Sequence, residues 1–240
     1  MSGIWQTVWL ESVSSETYLK EVKTITNIDQ NKVTIIPFSN IPLVNGYQVI
    51  ADVFYEGEKI VSGRTEPNEA LYLDIPEVKL WSPNHPHLYD VKLKFINQTG
   101  KVIDQVSSYF GMRKISLGDY KGVKYLFLNN KPLFHYGTLD QGWWPDGLLT
   151  PPSDEAMRYD IEMTKSMGFN MIRKHVKIEP DRWYYHCDKL GIMVWQDRPS
   201  YNRLALKKPE EMEVTERKDQ IYKSLERLDR EESDGFRGTE

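Results

Sequence analysis

The stretch Gly168-Phe-Asn-Met-Ile-Arg-Lys-His-Val-Lys-Ile-Glu-Pro-Asp-Arg-Trp-Tyr-Tyr-His-Cys-Asp-Lys-Leu-Gly-Ile-Met-Val-Trp-Gln-Asp197 reads as a strand, a helix and a second strand with charged groups at both strand ends. Asn170 to Arg173 is a short, mostly apolar run, and Pro180 suits a first helical turn. Trp183, Tyr184, Cys187 and Leu190 then recur at helical spacing until Gly191 ends the helix before Ile192, Met193, Val194 and Trp195. The pattern is a βαβ unit. In a parallel α/β barrel, functional groups stand at the C-terminal ends of strands, which is where Arg173, His175 and Asp197 fall.

Upstream, Ser153 suits an N-cap and Asp154 and Glu155 suit a first turn. Met157, Ile161 and Thr164, with Ala156, Met163 and Met167, give the apolar face of a helix closed by Gly168. Before it, Lys124 to Leu128 and Lys131 to Phe134 flank Asn129-Asn130 as a tight hairpin, and Tyr136 to Leu139 reads as a first barrel strand followed by the loop Asp140 to Gly147. From Tyr18 to Ile115 the apolar residues alternate in short runs separated by turn residues, as in Val33 and Ile35, Val49 to Val53, Leu71 to Ile75, Val91 to Phe95 and Val102 to Phe110. About seven such strands argue for a β-sandwich of immunoglobulin type, held by packing alone because one cysteine permits no internal disulfide. Residues 1–13 alternate enough for one strand, and Pro209 to Arg230 reads as an exposed, highly charged helix.

Composition narrows the function classes. The net charge of −4 and the lack of a Lys/Arg-dense block argue against nucleic acid or an anionic membrane as partner. No apolar run approaches the roughly 20 residues of a membrane span, and the first residues lack the basic start and apolar stretch of a secretory signal. The five histidines have no paired ligand spacing, so neither metal nor cofactor is expected; no Gly-rich phosphate loop or Gly-x-Ser-x-Gly elbow occurs. Cys187, on the helix face with Trp183 and Leu190, reads as a packed structural thiol. No oligomeric state or compartment follows from the residues.

Residues 168–197 resemble the start of the catalytic barrel of glycoside hydrolase family 2, the family of β-galactosidases, β-glucuronidases and β-mannosidases. Three further segments carry the resemblance in the family's order. Ser2-Gly3-Ile4-Trp5-Gln6 is similar to the end of its amino-terminal sugar-binding jelly roll, and Leu80-Trp81-Ser82-Pro83-Asn84-His85-Pro86-His87-Leu88-Tyr89 to the hinge of its immunoglobulin-like domain. Phe110-Gly111-Met112-Arg113-Lys114-Ile115, then Phe127-Leu128-Asn129-Asn130-Lys131-Pro132-Leu133, resembles its passage into the barrel. The implied architecture is multidomain: the last jelly-roll strand in residues 1–13, an immunoglobulin-like β-sandwich in 14–117, and the amino-terminal part of a (β/α)8 TIM barrel in 118–240. Only three of the eight barrel strands are read here, so this barrel cannot close. A start at a domain's last strand suggests a piece of a longer protein.

The resemblance implies a retaining glycosidase acting on a carbohydrate substrate. Its two catalytic Glu residues belong to later barrel strands, so no catalytic residue is assigned in this chain. The lone Asn-Glu pair, Asn68-Glu69, follows Pro67 in a sandwich turn and is no catalytic motif. Arg173 and His175 match the family's Arg and substrate-facing His, although His175-Val176-Lys177 replaces the usual His-Tyr-Pro. A guanidinium orients a carboxylate and an imidazole bonds a hydroxyl, while the alternatives are a structural ion pair and a plain loop residue. Asp140, Trp143 and Trp144 follow the first barrel strand and suit hydrogen bonding and stacking on a sugar, or simple packing. Trp195 reads as barrel core, and Asp197 either faces the site or supports Arg173. The substrate-binding candidates are therefore Arg173, His175, Asp140, Trp143, Trp144 and Asp197. The chain reads as a glycosidase fragment inactive alone; the rival is a non-catalytic carbohydrate-binding or interaction module.

Overall fold

The computed structural model describes residues 6–42 and 45–197. Seven strands come first: β1 (Leu19–Asn27), β2 (Lys32–Ser39), β3 (Gln48–Tyr55), β4 (Glu58–Thr65), β5 (Leu71–Asp74), β6 (Tyr89–Ile96) and β7 (Val102–Phe110). They form two antiparallel sheets, β1-β2-β5 and β4-β3-β6-β7. The period-two alternation is realised as burial: every second residue of β2 and β6 is buried, because each sheet has one face on the core and one in water. Val33, Ile35 and Leu73 from one sheet meet Val49, Val53, Val91, Leu93 and Phe95 from the other in a single cluster. The Leu19 backbone N–H donates to Asp104 Oδ2 at 2.7 Å, joining the sheets at their edges. This is the β-sandwich read from the sequence, with β4 paired to β3 and not to β5.

Of the strand expected at residues 1–13, the described part, 6–13, is irregular and exposed. A strand exists only through its ladder, and this segment pairs with no strand among the described residues. Beyond the sandwich, β8 (Ile115–Tyr120), β9 (Val123–Leu128) and β10 (Lys131–Pro132) make a small antiparallel sheet. The predicted hairpin is β9–β10, turned by Asn129 and Asn130 at φ 53° and 63°, as a primed turn requires. The preceding strand β8 was not expected; its Ile115 and Leu117 alternate but stand exposed.

The last described part alternates strand and helix: β11 (Gly137–Asp140), α1 (Asp154–Ser166), β12 (Met171–Lys174), α2 (Asp181–Leu190) and β13 (Met193–Gln196). The three strands are parallel, in the order β11-β12-β13. Ser153 caps α1 by accepting from the Ala156 N–H at 3.2 Å, and α2 closes on Gly191 in the left-handed region. Met157 and Ile161 of α1 pack with Trp183 and Cys187 of α2 against Ile172. Met163 and Met167, read as part of that face, lie outside it and are exposed. The charged helix expected at Pro209 to Arg230 lies outside the described residues.

The hinge segment docks onto the end of α2. Trp81, 1% exposed, donates its indole N–H to the Asp188 carbonyl at 2.7 Å, one of the last-turn carbonyls that a helix leaves without an internal partner. Arg113 stacks on the Trp81 ring at 4.6 Å and pairs with Asp188 Oδ1 at 2.5 Å, while Tyr109 donates to Asp188 Oδ2 at 3.1 Å. Lys165 reaches both the Leu190 and the Pro83 carbonyls. The Trp81 and Arg113 segments thus fix the sandwich to the α/β part.

Candidate functional site

Strand register decides where each side chain at the C-terminal ends points. Leu139, Arg173 and Trp195 form one row across β11, β12 and β13, and Asp140, Lys174 and Gln196 form the next. Ile172 and Val194 pack against the helices, so Lys174, two residues past Ile172, shares the helix side. The first row therefore occupies the opposite face. It is open there: Leu139 is 54% and Trp195 44% exposed. Trp195, expected in the barrel core, lies in this row and donates its indole N–H to His135 Nδ1 at 2.8 Å.

On the open face, Arg173 grips Asp197 with two bonds, Nε to Oδ1 at 3.0 Å and a terminal nitrogen to Oδ2 at 2.9 Å. The hydrogen bonds hold the Asp197 carboxyl below the usual carboxylate range against a smaller opposing effect of burial, and keep the guanidinium still more firmly charged. His175 Nε2 lies 3.9 Å from Asp197 Oδ2, and its Nδ1 lies 2.9 Å from Gln141 Nε2. Arg173, His175 and Asp197 are thus gathered at one end of the parallel sheet. Of the two sequence alternatives for Asp197, support of Arg173 is realised directly, on the open face.

Asp140 is placed differently. Its side chain, on the helix side, binds Lys174 and accepts the Gly142 N–H at 2.6 Å. The tryptophans divide: Trp143 is 54% exposed, whereas Trp144 packs against the helix cluster with its indole nitrogen buried and unpartnered among the described residues.

Beneath the open face lies a charged cluster that the sequence reading missed. Lys174, 1% exposed at its side chain, binds Asp140 Oδ2 and Glu179 Oε1, the latter at 2.8 Å, and sits 4.3 Å above the Trp183 ring. Lys177 lies 2.9 Å from Glu179 Oε2 and donates to the Gly142 carbonyl at 3.0 Å. The Glu179 N–H meets the Tyr184 hydroxyl at 3.2 Å; that hydroxyl donates to Gln196, whose amide donates to the Lys177 carbonyl at 2.9 Å. Two lysines and two carboxylates thereby bind the loops after β11 and β12 to α2 and β13. Between them, Val176 holds φ at 56°, a conformation unfavourable for a β-branched residue and sustained only by its surroundings. The alternation from Ile172 pointed Lys174 inward; nothing local marked Gln141.

This end of the sheet carries a fixed guanidinium–carboxylate pair and an imidazole, with an exposed indole in the loop after β11, groups whose chemistry allows hydrogen bonding and ring stacking. Among the described residues no group of His, Cys, Asp and Glu is arranged to hold a metal ion, and no helix is long and apolar enough to cross a membrane.

Comparison with known proteins agrees with this architecture. Residues 9–113 match the model of glycosyl hydrolases family 2. A β-galactosidase of Lactococcus lactis is 29% identical over 203 residues, 82% of this chain and 19% of its own length; β-mannosidase B of Aspergillus terreus is 28% identical over 210 residues, 82% of this chain and 24% of its own. The crystal structure of a β-glycosidase from Bacteroides vulgatus superposes with a TM-score of 0.71 at 19% identity, over 90% of this chain and 28% of that one, a likeness of fold. The chain spans about a fifth to a quarter of the length of these curated relatives, between 19% and 24%. The sandwich matched at residues 9–113 thus belongs to glycosyl hydrolases family 2, and the relatives named above align with this chain well beyond it.

Proposed function

We propose that the chain is part of a retaining β-glycosidase: a jelly-roll end in residues 1–13, an immunoglobulin-like sandwich in 14–117, and the first strands of a (β/α)8 barrel in 118–240. The observation that carries the reading is the Arg173–Asp197 pair with His175 beside it, at the C-terminal ends of three parallel strands and on the face away from the helices. In this reading Arg173, Asp197 and His175 bind hydroxyls of a carbohydrate, Trp143 offers a ring face, and Asp140 and Trp144 hold the loop that carries it.

Double displacement needs two carboxyl groups about 5 to 5.5 Å apart, one free to attack the anomeric carbon. Asp140, Glu179 and Asp197 are each engaged by a cation, so by itself the chain binds a β-glycoside without hydrolysing it. That engagement also favours the second reading, a non-catalytic carbohydrate-binding module. Release of nitrophenol from β-galactoside, β-glucuronide, β-mannoside and β-glucoside substrates tests both. The chain alone is expected to give background turnover, and the same segment within a complete barrel to hydrolyse one of them. Full-barrel inactivity leaves the binding module; turnover by the short chain that vanishes in Asp140→Asn or Asp197→Asn overturns the fragment reading.

A further inference from the structure

Among the described residues, the side chain of Gln141 has one hydrogen-bond partner, the ring of His175. Gln141 Nε2 lies 2.9 Å from His175 Nδ1. In this orientation of the amide its nitrogen donates, so Nδ1 carries the ring's lone pair, and in a neutral imidazole the proton then sits on Nε2. The other side of the ring agrees. Nε2 faces Asp197 Oδ2 at 3.9 Å, a carboxylate kept ionised by Arg173, which attracts an N–H and repels a lone pair. Two independent neighbours therefore favour the same tautomer.

The loops that create this arrangement are fastened to each other. The His175 N–H donates to the Asp140 carbonyl at 2.8 Å, the Gly142 N–H donates to Asp140 Oδ1 at 2.6 Å, and Lys177 donates to the Gly142 carbonyl at 3.0 Å. Residues 140–142 and 175–177 are clamped side by side, with Gln141 opposite His175 and the unfavourable Val176 conformation held between. At 3.9 Å the Nε2–H makes no hydrogen bond to Asp197, so this donor has no partner on that side.

We infer that Gln141 is a positioning residue that locks His175 as the Nε2–H tautomer, so that the ring presents a donor to an acceptor oxygen of a carbohydrate hydroxyl. The tautomer rests on the geometry alone; the identity of the acceptor rests on the carbohydrate-binding reading above. Gln141 touches no ligand in this role and acts only through His175.

The test is two-bond proton–nitrogen correlation on the intact chain labelled with ¹⁵N-histidine, recorded at alkaline pH where the ring-nitrogen shifts themselves report a neutral imidazole. The spectrum distinguishes the protonated ring nitrogen from the one bearing the lone pair, and His175→Gln identifies the His175 signals by their loss. Wild type is expected to show Nε2–H alone. Gln141→Glu, whose carboxylate only accepts, should move the proton to Nδ1, and Gln141→Leu, which leaves Asp197 as the remaining bias, should give an exchanging mixture still weighted to Nε2–H. A packing role for Gln141 would leave the tautomer untouched in both, with the other histidines reporting that each variant is folded. Wild type with the proton on Nδ1, or either folded variant matching wild type, overturns the inference; if the variants do not fold, the wild-type spectrum alone decides it. Titration with the nitrophenyl glycosides separates the two claims, since an unchanged Nε2 signal beside an intact tautomer rejects the carbohydrate and leaves the positioning standing.

Discussion

Replacing Lys174 by methionine removes one charge from a dry cluster while nearly keeping the side chain's length. Its ammonium serves Asp140 and Glu179 and lies over Trp183, and its side chain is 1% exposed. Removing one partner of a buried ion pair typically costs about 3 to 5 kcal/mol, chiefly because the remaining charge is left uncompensated. Two features put this case near the lower end. Glu179 keeps Lys177 at 2.9 Å, and the Asp140 side chain is 36% exposed, so water shares part of its charge. A loss of about 3 kcal/mol is more than a hundredfold in the folded-to-unfolded ratio, at tenfold per roughly 1.4 kcal/mol. It corresponds to about 6 to 12 °C in melting temperature for a chain of this size class. The assay is denaturant and thermal unfolding followed by circular dichroism, with Lys174→Met/Asp140→Asn as second arm. That pair leaves Lys177 and Glu179 balanced and should recover about 1 kcal/mol or more over Lys174→Met, since the stranded carboxylate is gone. A loss below about 1 kcal/mol in the single variant, or a double variant no more stable than the single, would refute a dry and mutually compensated cluster.

Three further outcomes are expected. Trp81→Phe keeps most of the buried surface but strands the Asp188 carbonyl, and should cost about 1 to 3 kcal/mol in unfolding experiments, with earlier proteolytic cleavage between sandwich and α/β part. Val176→Asn places a residue tolerant of positive φ where a β-branched one is held, and should raise stability by about 1 kcal/mol, read as a higher denaturation midpoint. Asp197 has a folded value below its unfolded one, so its contribution is present above about pH 4 and is lost as pH falls through the folded value; Asp197→Asn should flatten acid unfolding in that window.

The sandwich was legible because it buries one face of each strand, so Val33 and Ile35 or Val91, Leu93 and Phe95 reveal both the strand and its inward side. Alternation alone does not say which partner a strand meets or how deeply it is buried: residues 6–13 form no ladder among the described residues, and β8 pairs with β9 yet leaves Leu117 73% exposed. Helix ends were legible from Ser153 and Gly191, whose roles are local. Lys174 was not, because its partners lie five residues away at Glu179 and 34 residues away at Asp140, and only the assembled strands bring them together. The register sets Trp195 in the row that faces away from the helices, the face that a closed barrel turns to its interior.

Three consecutive residues at the end of β12 show how the pleat divides labour. Arg173 points to the open face and holds Asp197; Lys174 points to the helix side and holds Asp140 and Glu179; His175, just past the strand, donates its backbone N–H to the Asp140 carbonyl and has Gln141 as its ring partner. A one-residue slip of β12 against β11 and β13 would reverse the first two, driving a guanidinium toward Trp183 and leaving the Asp140 and Glu179 carboxylates without their ammonium. The charge cluster is therefore more than a cost of burial. It penalises the wrong register by a full set of uncompensated charges, while the right register leaves Arg173 and His175 on the face where a ligand can reach them. Gly137, at the start of β11, adds a steric constraint in the same direction, since a Cβ there would stand 1.9 Å from the Met171 carbonyl oxygen and push β11 off its partner. Register at one end of the sheet is set by backbone contact, and at the other by charge pairing, so the strands place Arg173 and Lys174, and the fastened loops that follow carry His175 and Gln141 beside them.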